Sequence, residues 1–309
     1  MIRTKTARTL LAFTLLAIPA FSADGQLINL VPAEAAVIGG IHVDRTAGSQ
    51  FGQFVLSHVK GTDKDFEEFV STTGFDPRRD VREIVFASLA DAHAPGLVLA
   101  RGVFNGPQIL AAAKAKSGGT SSIYKGVNLL DSPQGKTMRS LGFIDGSLAI
   151  AGDSVLVRAT IDRRNGTPVN SALVTKALNL SNSYDAWMAT SGVFRSPVTV
   201  PAPGKGLSIE GIVSTSGGLT FDSIIRFTGE AVTRSDKDAL ALVDVIRFLS
   251  SMVQMNSGNQ PGGPRLQPLF ESLQARADAN VVKLSFAIAQ ADLERMMELN
   301  KEQPVRASR

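Results

Sequence analysis

The chain contains no cysteine, so no disulfide can brace the fold and no lipid can be attached at an N-terminal cysteine. Stability must come from an ordinary apolar core. Histidine is nearly as scarce: His42, His58 and His93 are the three present, all in the first third of the 309 residues. A serine nucleophile further along would find no general base after it in sequence. Aromatic residues make up 6% and include one tryptophan, Trp187. Beyond the first 22 residues no apolar run reaches the length that spans a bilayer, which predicts a soluble mature protein. Those first residues also carry no acid. Arg3, Lys5 and Arg8 supply three of the four net positive charges, so the high isoelectric point owes much to the leader. It gives no ground for nucleic-acid binding.

What is there is an ordinary globular composition, 44% hydrophobic and 19% charged. The leader has three parts. A basic segment, MIRTKTAR, precedes an apolar run from Leu10 to Ile18. Pro19 ends the run, and Ala20 and Ser22 place small side chains where a signal peptidase needs them. The pattern predicts a signal peptide over residues 1–22, cleaved between Ser22 and Ala23, and a periplasmic or secreted bacterial protein.

The stretch Ser140 to Asp162 organises the rest. Leu141 and Phe143 alternate towards Asp145-Gly146, a type I′ hairpin signal, and Leu148 and Ile150 continue on the return strand. Asp153 then stands where a helix N-cap belongs, ahead of Val155, Leu156, Ala159 and Ile161. Similar grammar predicts strands over 36–43, 83–89, 97–104, 122–130, 186–194, 207–214, 219–228 and 281–288, with a hairpin turn at Ser216-Gly217-Gly218. Helices are predicted over 49–59, from Thr62 (with Asp65 in capping-box position) to Gly74, from Pro107 to Gly118, over 171–178, from Ser235 past Val253, up to Ala277 and over 291–299.

Hairpin-linked strands with helices between them predict an α+β fold, a largely antiparallel sheet with paired helices packed on one face. Asn165 to Asn170 is rich in turn formers and divides an N-terminal half, 23–165, from a C-terminal half, 166–300, with a tail at 301–309. Each half closes on a strand–helix unit, Leu148–Ile161 and Val281–Leu299, consistent with two similar halves.

Several short motifs occur together: Leu27-x-Asn29-Leu30-Val31-Pro32-Ala33, Gly74-Phe75-Asp76-Pro77 with Asp80-Val81, Gly102-Val103-Phe104, Tyr124-x-Gly126-Val127 and Gly152-Asp153. Over Leu27 to Asp162, and more loosely beyond, the chain resembles exported bacterial proteins that carry only a domain-of-unknown-function label. The resemblance implies export and brings no activity or catalytic residue.

The chemistry-bearing motifs are incomplete. Gly152-Asp153-Ser154-Val155-Leu156 resembles the GDS block of SGNH hydrolases, but that family places its histidine after the serine, and here all three precede it. Gly135-Lys136-Thr137 imitates the end of a phosphate loop, yet Leu130 stands where its first glycine is required. Asp63, Asp65, Glu67 and Glu68 follow helical rather than calcium-loop spacing. His42 and Asp44 lie two apart on one predicted strand, with no third ligand suggested. Tyr184 and Trp187 read as sheet packing rather than a ligand surface. The sequence therefore predicts no catalytic, cofactor-binding or metal-binding residue and no cofactor. The leading expectation is a non-catalytic binding or interaction protein of the cell envelope, its partner an envelope protein or surface. The alternatives are a periplasmic carrier of a small apolar ligand, marked by a cavity behind the helix Ala239–Val253, and a serine hydrolase acting through Ser154.

Overall fold

The structure is a computed structural model that describes residues 24–58, 64–90, 96–164, 166, 169–192, 198–200, 207–209, 211–256 and 269–301. Residues 1–23, which include the predicted leader, Thr62, Asp63, the Asp65 side chain, His93 and the residues beyond 301 lie outside the described residues, as does most of the stretch from Asn165 to Pro168. Among the described residues no helix is long and apolar enough to cross a membrane.

The N-terminal half opens with α1 (Asp24–Ile28) and β1 (Val37–His42). Four helices follow: α2 (Val43–Gly48), α3 (Gln50–His58), α4 (Lys64–Thr73) and the single turn α5 (Pro77–Asp80). Then come β2 (Val81–Ser88), β3 (Leu97–Gly102), α6 (Gly106–Ser117), β4 (Thr120–Tyr124), β5 (Val127–Gln134), β6 (Thr137–Asp145), β7 (Leu148–Asp153) and α7 (Ser154–Arg163). The C-terminal half comprises α8 (Ala172–Ser183), β8 (Ala186–Thr190), β9 (Val198–Val200), β10 (Leu207–Ile209), β11 (Ile212–Phe221), β12 (Ile224–Thr233), α9 (Asp236–Asn256), β13 (Gln274–Asp278), β14 (Val281–Ala289) and α10 (Gln290–Lys301).

Apart from the β9–β10 pair, these strands form one twelve-stranded sheet in the order β13-β14-β12-β11-β8-β1-β2-β3-β7-β6-β5-β4. Every pairing is antiparallel, and the fold is α+β. The two halves meet at the centre, where Val37 of β1 pairs with Thr190 of β8. Outward from that seam the order repeats: β1-β2-β3-β7-β6 on one side, β8-β11-β12-β14-β13 on the other. In each half a helix follows the third strand of this order, α6 or α9, and another follows the fourth, α7 or α10.

Alternation along the strands divides the core into two faces. Ile38, Val85, Leu99 and Ile150 point towards α1, α7 and α8, which bury Leu27, Ile28, Val157, Ile161, Val174 and Ala177 against them. Ile84, Ala100 and Ala149 point the other way, towards α4 and α6. On that second face α9 buries Ala239, Leu242 and Val243 against Val282. The helices thus divide between both faces, where the sequence had suggested one. Both sides of the central strands are apolar, Gly39 lying under the Phe86 ring and Gly40 under the Trp187 ring, so each side needs a cover.

Four local expectations change. The predicted strand 122–130 is two strands, turned at Lys125 and Gly126 with φ of 46° and 81°. Left-handed angles at both positions suit the type I′ turn, but Lys-Gly lacks the usual Asn-Gly signature. The β6–β7 hairpin turns at Gly146-Ser147 rather than Asp145-Gly146. The Asp145 carboxylate fixes it by accepting the Ser147 N–H at 2.6 Å and the Leu148 N–H at 3.0 Å. β11 runs straight through Ser216-Gly217-Gly218 and turns at Asp222-Ser223. These glycines make room instead, since a Cβ on Gly218 would fall inside the Tyr184 ring. Finally, the segment ending near Ala277 is strand β13, held by Ala277 pairing with Val282. Its short alternating pattern, QARAD, has no helical period to set against that partner.

Candidate functional site

Ser154 is 4% exposed at the start of α7. Its Oγ lies 2.6 Å from the Ser140 Oγ, and the Ser140 hydroxyl bonds the Asp131 carboxylate. The same carboxylate accepts the Ser122 hydroxyl at 2.7 Å and the Arg158 guanidinium at 3.0 Å. Burial pushes the Asp131 carboxyl up, but the hydrogen bonds from Ser140 and Ser122 and the nearby Arg158 charge outweigh it and hold it below the ordinary carboxylate range. The serine therefore belongs to a polar hub that ties α7 to β4, β5 and β6. Its hydrogen-bond partner is another hydroxyl, not a base. Ser154→Ala is expected to lower stability by about 1–2 kcal/mol, because the buried Ser140 hydroxyl loses a partner. Thermal denaturation checks the loss, and any ester hydrolysis by the wild type that vanishes in the variant would restore the nucleophile reading.

A second serine near a histidine has the geometry of a nucleophile–base pair. Ser181 Oγ lies 3.2 Å from His42 Nε2. Nε2 is also 2.9 Å from the Ser181 carbonyl oxygen, which can only accept, so this nitrogen carries the proton and cannot take another. Ser181 is 0% exposed inside α8, which leaves no path for a substrate. Glu83 stands across the ladder from His42, also buried, in a structural row at the strand ends. Asp44 is not on the same strand face: it opens α2, exposed, with its Oδ1 accepting the Arg45 N–H. His42 and Asp44 are therefore not a ligand pair. Glu67 and Glu68 are exposed on α4, Gly135-Lys136 is the β5–β6 turn, and Tyr184 and Trp187 pack over Gly218 and Gly40. Among the described residues no three His, Asp or Glu side chains converge.

The feature that the motifs missed is an apolar slot of about 230 Å³ on the α9 face of the sheet. Its floor is the cross-strand pair Gly217 and Gly229, with Ala231 beside them. Met188, Phe227, Leu284 and Val282 form its strand walls, and Leu242 and Ile246 of α9 form the roof. Phe227 stacks on Phe286, centroids 5.0 Å apart, and stiffens one end. Met188 is 45% exposed at the other. The equivalent space in the N-terminal half, between α6 and β2, β3 and β7, is filled by rings. There Phe75 lies against Phe69 and Phe104, at centroid separations of 6.3 and 5.5 Å, and Phe104 lies against Phe143 at 5.4 Å. A wider cleft of about 900 Å³ adjoins the slot, sharing Gly229, Glu230, Ile246 and Leu284 and running along Arg247, Ser250, Ser251 and Phe270. The sequence held one signal for the slot: a Gly-Gly step in a strand facing another glycine an equal distance beyond the turn. Its turn-like composition masked it.

No protein-family model matches the chain, and no curated protein sequence matches it. Among solved structures it is similar to one described as crystal form I of TP0453, at 11% identity and a TM-score of 0.49, over 88% of this chain and 96% of that one.

Proposed function

We propose that the protein is an exported, non-catalytic binding protein that holds an apolar ligand in the slot between α9 and the sheet. One observation carries this reading: the C-terminal half leaves an apolar space floored by glycines over β11, β12 and β14, whereas aromatic rings cover the corresponding strands β2, β3 and β7 of the N-terminal half, whose own open space of about 700 Å³ lies further out, between α6 and β4 and β5, and is edged by Lys114 and Asn128. The slot opens to solvent past Met188, so a ligand can enter it without the core unfolding. A cavity of roughly 150 Å³ lined by aliphatic and aromatic groups already admits benzene, and this slot exceeds that. Nearly all of its accessible surface is carbon, so it selects for hydrophobicity and shape; Glu230 also lines it, but alternates with Gly229 and Ala231 to the other face of the sheet and pairs there with Lys176. The leader supports a periplasmic or secreted site of action.

The experiment uses the mature protein and the fluorescent probe N-phenyl-1-naphthylamine. Saturable binding is expected, weakened at least tenfold in Ile246→Trp, whose indole fills the roof of the slot. Ala231→Phe, which fills it from the floor, should do the same. Circular dichroism and melting would confirm that either variant still folds. Equal affinity in folded wild type and both folded variants would sink the reading, as would the absence of saturable binding to the wild type.

A further inference from the structure

We infer that the ligand is a single-chain anionic amphiphile, its hydrocarbon tail in the slot and its carboxylate or phosphate head beside Arg247. This rests on the slot being the binding site. Ile246 roofs the slot, and the next residue along α9, Arg247, lines the adjoining cleft together with Ser250 and Ser251 one turn on. An apolar tail leaving the slot between Gly229 and Ile246 therefore meets a cation and hydroxyls within one helical turn.

The other charges around the cleft are committed. Glu230 pairs with Lys176 at 2.9 Å and Lys283 with Asp278 at 2.9 Å. Glu271, on the far wall, has a partner of its own. Arg276 also lines the cleft, but it alternates with Ala275 and Ala277, which pack on α9, so it lies towards the Lys283–Asp278 edge of the cleft, away from Arg247 on the α9 side. Arg247 makes no ion pair among the described residues and its side chain is exposed. A guanidinium offers a planar fork of donors that suits both carboxylate and phosphate oxygens. The slot accounts for only part of a long chain, and the cleft of about 900 Å³ has room for the remainder and the head.

Calorimetric titration of the mature protein at neutral pH tests this with four ten-carbon ligands below their micelle concentrations: decanoate, decyl phosphate, decanol and decyltrimethylammonium. At least one of the two anions is expected to bind about tenfold or more tightly than decanol, and the ammonium more weakly than decanol. Whichever anion wins identifies the head group as a carboxylate or a phosphate. Arg247→Gln should abolish the anion's advantage while leaving decanol affinity within twofold. Decanol binding as tightly as both anions, or an anion advantage that survives Arg247→Gln, overturns the head-group assignment while the slot reading stands. Binding of none of the four, or binding that Ile246→Trp leaves untouched, overturns both.

Discussion

Gly152→Ala is expected to cost about 3–5 kcal/mol, on the order of 10 °C in melting temperature for a chain of this size. Two terms add. Gly152 has φ of 148°, a region that side chains with a Cβ rarely enter. A Cβ built there would also overlap the Gly96 carbonyl oxygen and approach the Leu97 Cα to 2.9 Å. Both obstacles are backbone, and neither can yield. The Gly96 carbonyl accepts the Asp153 N–H at 2.7 Å, and Leu97 is fully buried in an interior strand between β2 and β7. The next residue, Asp153, caps α7 by accepting the Val155 N–H at 2.9 Å, so a shift here loosens the helix as well. Gly74→Ala is the control. Gly74 has φ of 68°, but among the described residues nothing lies within 4 Å of its Cβ position, so only the conformational term of about 1 kcal/mol applies. Chemical denaturation of both variants decides. If Gly152→Ala is no less stable than Gly74→Ala, the close approach of β3 and β7 is not what Gly152 serves.

That glycine illustrates what could be read from the sequence and what could not. The strand–turn–strand–helix stretch around it was legible because its signals are local: alternation, an aspartate at the turn and an aspartate at the cap. The longest helix was legible for the same reason. Ser235 accepts the Asp238 N–H and donates its hydroxyl to the Asp238 carboxylate, and Ala239, Leu242, Val243 and Ile246 face inward. The paired closing units were also visible, and the sheet places them alike, β7–α7 and β14–α10 in equivalent positions of the repeated order.

Pairings between distant strands left no local trace. Nothing in Val37–His42 announces that it lies beside Ala186–Thr190, and that seam joins the halves into one sheet. The slot was obscured by a true ambiguity, since Ser216-Gly217-Gly218 is equally a hairpin turn and a strand that must lie close under other groups. Only the register with Gly229 distinguishes them. Ser154 presents the reverse case. A motif drew notice to the hydroxyl, while Asp131 and Ser140, which give it its role, sit on separate strands at positions that read simply as polar.

Asp131 should therefore contribute strongly to stability, and it should do so in a pH-dependent way. Asp131→Asn is expected to cost about 2–4 kcal/mol at neutral pH. The carboxylate serves three donors at once, Ser140, Ser122 and Arg158; the neutral amide keeps one accepting oxygen, loses the charge that faces Arg158 and puts a donating nitrogen where an acceptor stood, so the three donors can no longer all be served. Ser140 and Ser154 are almost fully buried, so their hydroxyls gain no water in exchange. The folded chain holds the Asp131 carboxyl below its ordinary value, because the hydrogen bonds and Arg158 overcome the cost of burial. A group with a lowered folded pKa adds stability above its unfolded value, near 3.9, and loses it as the pH falls towards the folded value. The gap between wild type and Asp131→Asn should thus be widest at pH 6–7 and narrow below about pH 4. Asp76, Asp80 and Asp145 are also held low and shape the acid limb of both proteins, so the difference curve isolates Asp131. Urea denaturation at pH steps from 7 to 3 measures it. A gap that stays constant across that range, or one below about 0.5 kcal/mol at pH 7, would mean that α7 is held by its apolar residues Val157 and Ile161 alone.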